Sequence, residues 1–286
     1  FQKNDYSINI GANLEDATYT NNTIQQFTVG NSIITGINNS NLHFIKYGVF
    51  TQISKTYFAN SLNTSFGLRI DGNSFTESTN SPNLSPRLSL AYNLNNKISV
   101  NSNIGRFYQL PSYTILGFDN NGNYLNKDAD YISCDHAVIG LEYNPSSYSK
   151  ITLESFYKRY NNYPFSILDS ISLANLGGDF GVVGNEDISS TSKGNSYGVE
   201  LLAQQKMSSS VYGILSATYY RSRFEDKNEQ LISSSWDNKF ILNMTAGKKF
   251  KNNIELGFKY RYSGGAPYTP IDIINSSNRG IWDINQ

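Results

Sequence analysis

The chain carries a single cysteine, Cys134, in 286 residues. No intrachain disulfide can form, which excludes a small scaffold stapled by cystines. Charge of either sign is not in excess: 23 basic and 23 acidic side chains leave a formal net charge of zero. That removes the electrostatic case for a nucleic-acid partner or an anionic membrane surface. Nowhere does the sequence approach the roughly 18 consecutive apolar residues of a spanning helix, and mean hydropathy is -0.43. A transmembrane β-barrel escapes that exclusion, because only every second residue of its strands meets lipid. Initiator methionine, signal peptide and charged leader are all missing. The chain opens at Phe1, inside a strand-like stretch, and reads as an excised piece of something longer.

What the sequence does have is alternation. Leu88, Leu90, Tyr92 and Leu94 alternate with Arg87, Ser89, Ala91 and Asn93. After Asn95-Asn96, Ile98, Val100, Ser102 and Ile104 alternate with Ser99, Asn101, Asn103 and Gly105. This predicts a β-hairpin with one oily and one polar face, turned at a dipeptide that tolerates positive φ. Its apolar band suits the 9–11 residues that a tilted strand needs to cross a bilayer. The pattern recurs at Tyr6–Leu14, Ile45–Ile53, Leu62–Ile70, Ala137–Tyr143, Ile151–Tyr160, Tyr197–Ala203, Val211–Phe224, Phe240–Ala246 and Ile254–Tyr262, giving about eleven strands. In Ile151–Tyr160 the phase blurs at Phe156-Tyr157. In Val211–Phe224 both phases are partly apolar, so the facing is open.

The connections are equally regular. Long polar segments at 16–41, 76–84, 108–133, 161–194 and 225–235 alternate with short turns at 58–61, 95–96, 144–149, 207–210 and 250–253. In an up-and-down antiparallel sheet, alternate connections lie at the same end, so all short turns share one end and all long loops the other. Outer-membrane barrels have this asymmetry, whereas a Greek-key sandwich has no cause to keep it. The polar face (Arg87, Ser89, Asn93, Ser99, Asn101, Asn103, Glu154, Glu200, Gln204, Asn243, Glu255, Lys259) suits a wide barrel with a wet or plugged interior. The fold expected is an all-β, antiparallel up-and-down transmembrane barrel, partial, of about eleven strands.

Several motifs then resemble those of TonB-dependent outer-membrane receptors. They are Tyr47-Gly48-Val49-Phe50-Thr51-Gln52 with Gly67-Leu68-Arg69-Ile70-Asp71, Ser85-Pro86-Arg87 with Tyr92, and Gly105-Arg106-Phe107 leading to Pro111-Ser112. Further along come Gly140-Leu141-Glu142-Tyr143, Ser196-Tyr197-Gly198-Val199-Glu200-Leu201 and Tyr262-Ser263-Gly264-Gly265-Ala266-Pro267-Tyr268-Thr269-Pro270, the last resembling Bacteroidetes-type receptors. The resemblance covers part of the barrel only. It implies that residues 1–286 are a barrel segment, with the plug domain and last strands absent from this sequence. It also implies import of a scarce nutrient (a metal chelate such as a siderophore complex, a glycan or a peptide) across the Gram-negative outer membrane, with no enzymatic step and no cofactor. The implied partners are outer-membrane lipid, the receptor's own plug, a TonB-type energy transducer and a surface lipoprotein. Rival readings are a passive porin or structural barrel without energy coupling, and a secreted β-rich adhesin.

Chemistry-bearing clusters are sparse. Cys134-Asp135-His136 and the distant His43 lack metal-ligand spacing. The stretch Gly177–Gly181 lacks the strand and helix context of a phosphate cradle. Glu225, Asp226 and Lys227 read as a solvated loop tip. Aromatics are 14% of the chain, and Tyr57, Tyr92, Tyr143, Tyr148, Phe250, Tyr260 and Tyr262 fall near strand ends, where interfacial girdles lie. Ligand-contact candidates are Arg106 and the loop aromatics Tyr108, Tyr113, Phe118, Tyr124, Tyr163, Phe165 and Phe180. The alternative for these rings is packing of the loops against one another.

Overall fold

The computed structural model describes residues 2–3, 6–29, 32–77, 83–120, 122–176, 184–208, 210–252, 254–268 and 273–274. Eleven long strands dominate: β1 Tyr6–Val29, β2 Ser32–Tyr57, β3 Leu62–Asn73, β4 Asn83–Asn93, β5 Ile98–Gln109, β6 Ile132–Ser146, β7 Ser149–Ser166, β8 Ile188–Ser208, β9 Val211–Glu225, β10 Phe240–Lys249 and β11 Glu255–Ser263. Each pairs antiparallel with the next in sequence, in one sheet without crossovers. This is the up-and-down wall of a partial barrel. The α-helix α1, Tyr113–Leu116, is a single turn.

The apolar alternation becomes a continuous outer belt. One register row runs Tyr57, Leu62, Tyr92, Val100, Leu141, Leu153, Leu201, Ala217, Leu242 and Tyr262, crossing ten strands without a polar residue. Tyr57 abuts a short turn while Tyr262 adjoins the chain after β11, at the opposite end. A row perpendicular to the strands therefore climbs the wall, as strand tilt requires in a barrel. Among the described residues no second sheet or helix covers the belt: Ile10, Leu14, Phe66, Leu90, Ile104, Ile139, Leu153 and Phe258 are all exposed. The opposite face carries the row Asn9, Gln52, Gly67, Arg87, Gly105, His136, Lys158, Ser196 and Ser222. The blurred strand resolves with Tyr157 outward and Phe156 inward, and β9 turns Leu215, Ala217 and Tyr219 outward.

Two expectations change. The segment 16–41 is not a loop: β1 and β2 are 24 and 26 residues long and pair from Tyr6↔Lys55 to Val29↔Ser32. At about 3.4 Å per residue this hairpin reaches far beyond a bilayer. Its periodicity was hidden by an inversion of phase. On β2 the outward positions are Ile53, Val49, Tyr47 and Ile45, then His43, Asn41 and Asn39. The inward positions are Gln52 and Gly48, then Phe44 and Leu42, both buried. Beyond Ile45 the oily and polar faces of the hairpin therefore exchange sides. The same exchange on the outward face takes Leu14 to Asp16, Ile104 to Arg106, Ala137 to Asp135, Tyr157 to Arg159, Tyr197 to Asn195 and Tyr219 to Arg221. The second change is that strand invades the other long segments. Tyr108, Tyr163 and Phe165 are strand residues of β5 and β7, and the segment 161–194 shortens to a connection at 167–187.

Two motif glycines have steric explanations. A Cβ on Gly48 would lie 2.6 Å from Asp71 Oδ1 and 2.7 Å from Asn13 Oδ1. The gap admits an inward cluster in which Arg69 Nη2 donates to Asp71 at 2.6 Å and to Asn13 at 2.8 Å. A Cβ on Gly105 would press on the Arg87 stem at 3.1 Å, where the guanidinium stacks 4.3 Å from the Phe107 ring centre.

Candidate functional site

Above the belt, at the long-loop end, the chain builds an ordinary apolar core. Leu42, Phe44 and Ala17 from the β1–β2 hairpin meet Ile115 and Leu116 of α1, Ala129, Leu173 and Ile188. Aromatic rings ring this core: Tyr113 sits edge-on to Phe44 at 5.4 Å and to Tyr19 at 5.9 Å, and Tyr124 is edge-on to Phe75 at 5.5 Å. Tyr163 packs on Phe224 at 4.7 Å.

Buried polar side chains pin the loops together. Asn126, fully buried, donates to the carbonyls of Ile115 (2.8 Å) and Glu186 (2.9 Å) and accepts from the Ile188 N–H (3.0 Å). Its side-chain bonds tie the 123–131 stretch to α1 and to the approach of β8. Asp237, also fully buried, accepts from Ser222 N–H at 2.9 Å, Ser233 Oγ at 2.8 Å and Arg221. Burial pushes its carboxyl up, but these donors outweigh it and hold the group below the usual range. Glu186 goes the other way: burial lifts it, Asp169 adds to the lift, and a hydrogen bond from Ser166 only partly offsets them. Ser235 donates to the Ala174 carbonyl through N–H (3.0 Å) and Oγ (3.1 Å), joining two loops.

Between these loops lies a cavity of about 320 Å³, lined by Ser112, Ile115, Tyr163, Leu173, Leu176 and Trp236 among others. Its walls mix apolar side chains with the polar groups of Gln109, Ser112 and Ser235. Trp236, half-exposed at this cavity, escaped the sequence reading. A tryptophan between a serine run and Asp237 in a loop was the only available signal.

The structure distributes the candidates unevenly. Of the ligand-contact candidates among the described residues, only Tyr163 lines the cavity. Tyr113 and Tyr124 are engaged in the aromatic packing, and Tyr124 also exchanges hydrogen bonds with the Asn41 backbone. Phe118 is half-buried and accepts a backbone bond from Leu125. Phe165 lies on β7 opposite Ser172 and Ser189. Arg106 stands on the outward face with Tyr108 beside it, gripped by Asp135 through two bonds of 2.6 and 2.8 Å. Phe180 and the stretch Gly177–Gly181 lie outside the described residues. Tyr57, Tyr92, Tyr143, Tyr148 and Phe250 are exposed beside the short turns, while Tyr260 and Tyr262 are exposed toward the other end. Cys134 faces inward between Phe107 and Tyr160, and among the described residues no His, Cys, Asp and Glu gather as metal ligands would.

A family model described as TonB dependent receptor-like, beta-barrel matches residues 2–285. No curated protein matches the chain. Among solved structures, the FrpB iron transporter from Neisseria meningitidis (F5-1 variant, apoprotein) is 12% identical with a TM-score of 0.62, over 92% of this chain and 42% of that one. The ferric-catecholate import receptor Fiu from E. coli K12 is 13% identical with a TM-score of 0.62, over 91% and 41%. The siderophore receptor PirA from Pseudomonas aeruginosa is 16% identical with a TM-score of 0.61, over 92% and 43%. The chain thus spans about two fifths of the length of these structures. Barrels of this family are outer-membrane proteins of transport receptors. The match across residues 2–285, on a wall with this topology, places the chain in the TonB-dependent receptor family, as part of its β-barrel domain.

Proposed function

We infer that the chain is a segment of the barrel of an energy-coupled outer-membrane receptor that imports a scarce nutrient. A plug and further strands from sequence beyond this segment would complete it. Among the described residues β11 has no further strand beside it and β1 only the two-residue strand Gln2–Lys3, which supports the second part, since open edges cannot persist in lipid. The observation that carries the reading is on the lumen wall. Glu154 and Glu200 face each other directly across β7 and β8, and neither has a cationic partner among the described residues. Like charges opposed across a strand pair are destabilising, so such a wall favours a lumen filled by something that brings cations. A plug domain would do so, and an energy transducer acting on that plug would supply the coupling. The loop-end cavity, with Tyr163 and Trp236 beside polar groups of Gln109, Ser112 and Ser235, supports capture of a small ligand with both flat and polar parts, such as a chelated metal. A surface lipoprotein would dock on the same end. The exposed tyrosines at both belt margins serve as interfacial girdles.

The test is uptake by cells expressing the full-length protein. The protein is expected in the outer-membrane fraction, heat-modifiable on gels, and its growth advantage on a limiting chelated metal should vanish when the transducer is deleted. Growth that survives the deletion would establish a passive pore instead. Recovery of the protein in the soluble fraction would end the barrel reading.

A further inference from the structure

Ser166, the last residue of β7, is fully buried and is a pivot of the loop-end cap. Its register partners are Ile171 on one side and Ile188 on the other. Its hydroxyl accepts from the Asp169 N–H at 2.9 Å and donates to the Glu186 carboxyl. One buried oxygen thus ties the 167–170 turn to the approach of β8. The turn is tight, with Ser170 at a φ of 54°, and the chain that leaves it runs to the cavity. Leu173 N–H donates to the Pro164 carbonyl at 2.9 Å, and the Ala174 carbonyl takes both bonds from Ser235. Pro164, Leu173, Leu176, Ser235 and Trp236 line the cavity. From the Glu186 carboxyl to that wall the links are Ser166, the two-residue strand Ile171–Ser172 and Leu173. The charges nearest the pivot are acidic. Asp169 and Asp187 flank it, and the Asp187 carbonyl accepts from Ile167 N–H at 3.2 Å. The 123–131 stretch, which reaches Glu186 through Asn126, carries Lys127, Asp128 and Asp130, and Lys127 is paired with Glu77 at 3.5 Å. From β2 comes neutral Asn38, bonded to Asn185.

We propose that Ser166, Glu186 and Asp169 form a proton-operated latch on the cavity wall. While Glu186 keeps its proton, the 164–176 stretch is held against Ser235 and Trp236. When Glu186 ionises, a second carboxylate stands with Asp169 around one buried hydroxyl. Burial and the Asp169 charge both oppose that state. The stretch relieves it by moving off the pivot, and the wall loosens between Leu173 and Trp236. A ligand in the cavity is therefore gripped in acid and freed as pH rises. This regulates the cavity assigned above to ligand capture, so its part in uptake rests on that reading; the latch itself belongs to the cap.

The experiment is fluorine NMR of the full-length protein in mild detergent, labelled with 5-fluorotryptophan and without ligand. The Trp236 resonance is the one that W236F removes. As pH rises from about 4 to about 8, that resonance should shift in one step, with a midpoint above the ordinary glutamate value of about 4.3. E186Q should abolish the step, and D169N should lower its midpoint by removing the like charge. E229Q, exposed on the same connection as Trp236, should titrate as the wild type does. Unchanged heat-modifiability confirms that the variants fold, and the wild-type titration decides alone if E186Q does not. A resonance that stays still, or a step that survives E186Q, overturns the latch. A midpoint that D169N leaves in place, or a step that E229Q abolishes, overturns the assignment to this pivot. Uptake that persists without the transducer would instead sink the receptor reading, a distinct result.

Discussion

The wall and the loop-end cap use the same residue types in opposite ways. In the wall, Leu14 is 77% exposed and Ile10 80%; in the cap, Leu42 is 1% exposed and Leu116 not at all. The wall has no core of its own, because its apolar face is built for lipid and its polar face for the lumen. The cap is a small water-soluble core mounted on the strand ends. The two regions should therefore fail separately, and substitutions can show it.

The largest effect belongs to the cap. Leu116→Ala would open a cavity in its centre at a cost of about 2–5 kcal/mol. Loop cleavage by added protease should rise sharply while heat-modifiability of the wall stays unchanged; loss of both together would mean that one core serves the whole molecule. Next is the wall: Leu153→Arg, mid-belt, should cost about 2–4 kcal/mol in a bilayer, whereas Asn101→Arg on the lumen face should cost close to nothing. Folding titrations in vesicles measure the pair, and equal costs would deny the two faces their different surroundings.

Asn126→Ala removes a pin from the cap and leaves the groups it bridged unpaired, about 1–3 kcal/mol. Protease cutting within 110–131 and 167–187 should rise together. The smallest effect is a pH slope. Glu186 is lifted above the ordinary carboxyl range, so the cap gains from it fully below about pH 4 and loses that gain as pH climbs through the raised value. Asp237 is held low, so its contribution is present above about pH 4 and is lost as pH falls through its depressed value. Proteolysis of the 167–187 loop should quicken as pH rises from 4, and Glu186→Gln should flatten that rise.

The wall was legible because lipid and lumen impose a strict two-residue period. Rows such as Val100, Leu141 and Leu153 follow from alternation alone. The cap was not. Its partners, Leu42 with Leu116 or Asn126 with Ile188, lie far apart in sequence and share no period. The β1–β2 extension was missed because Leu42 and Phe44 break the phase set by Tyr47 and Val49. A pattern search that assumes a single solvent outside the strand stops at that break. Trp236 and the cavity depended on how three loops meet, which no local pattern records.

That break has a mechanical consequence. It recurs at neighbouring register positions on β5 to β9, so the polypeptide carries its own draught mark, as a hull does. A two-residue slip of one hairpin would sink Arg159 about 7 Å toward the acyl chains. Its neighbours on β6 and β8, marked at the same height by Asp135 and Asn195, would resist. How deep the receptor rides is thus set by several strands at once.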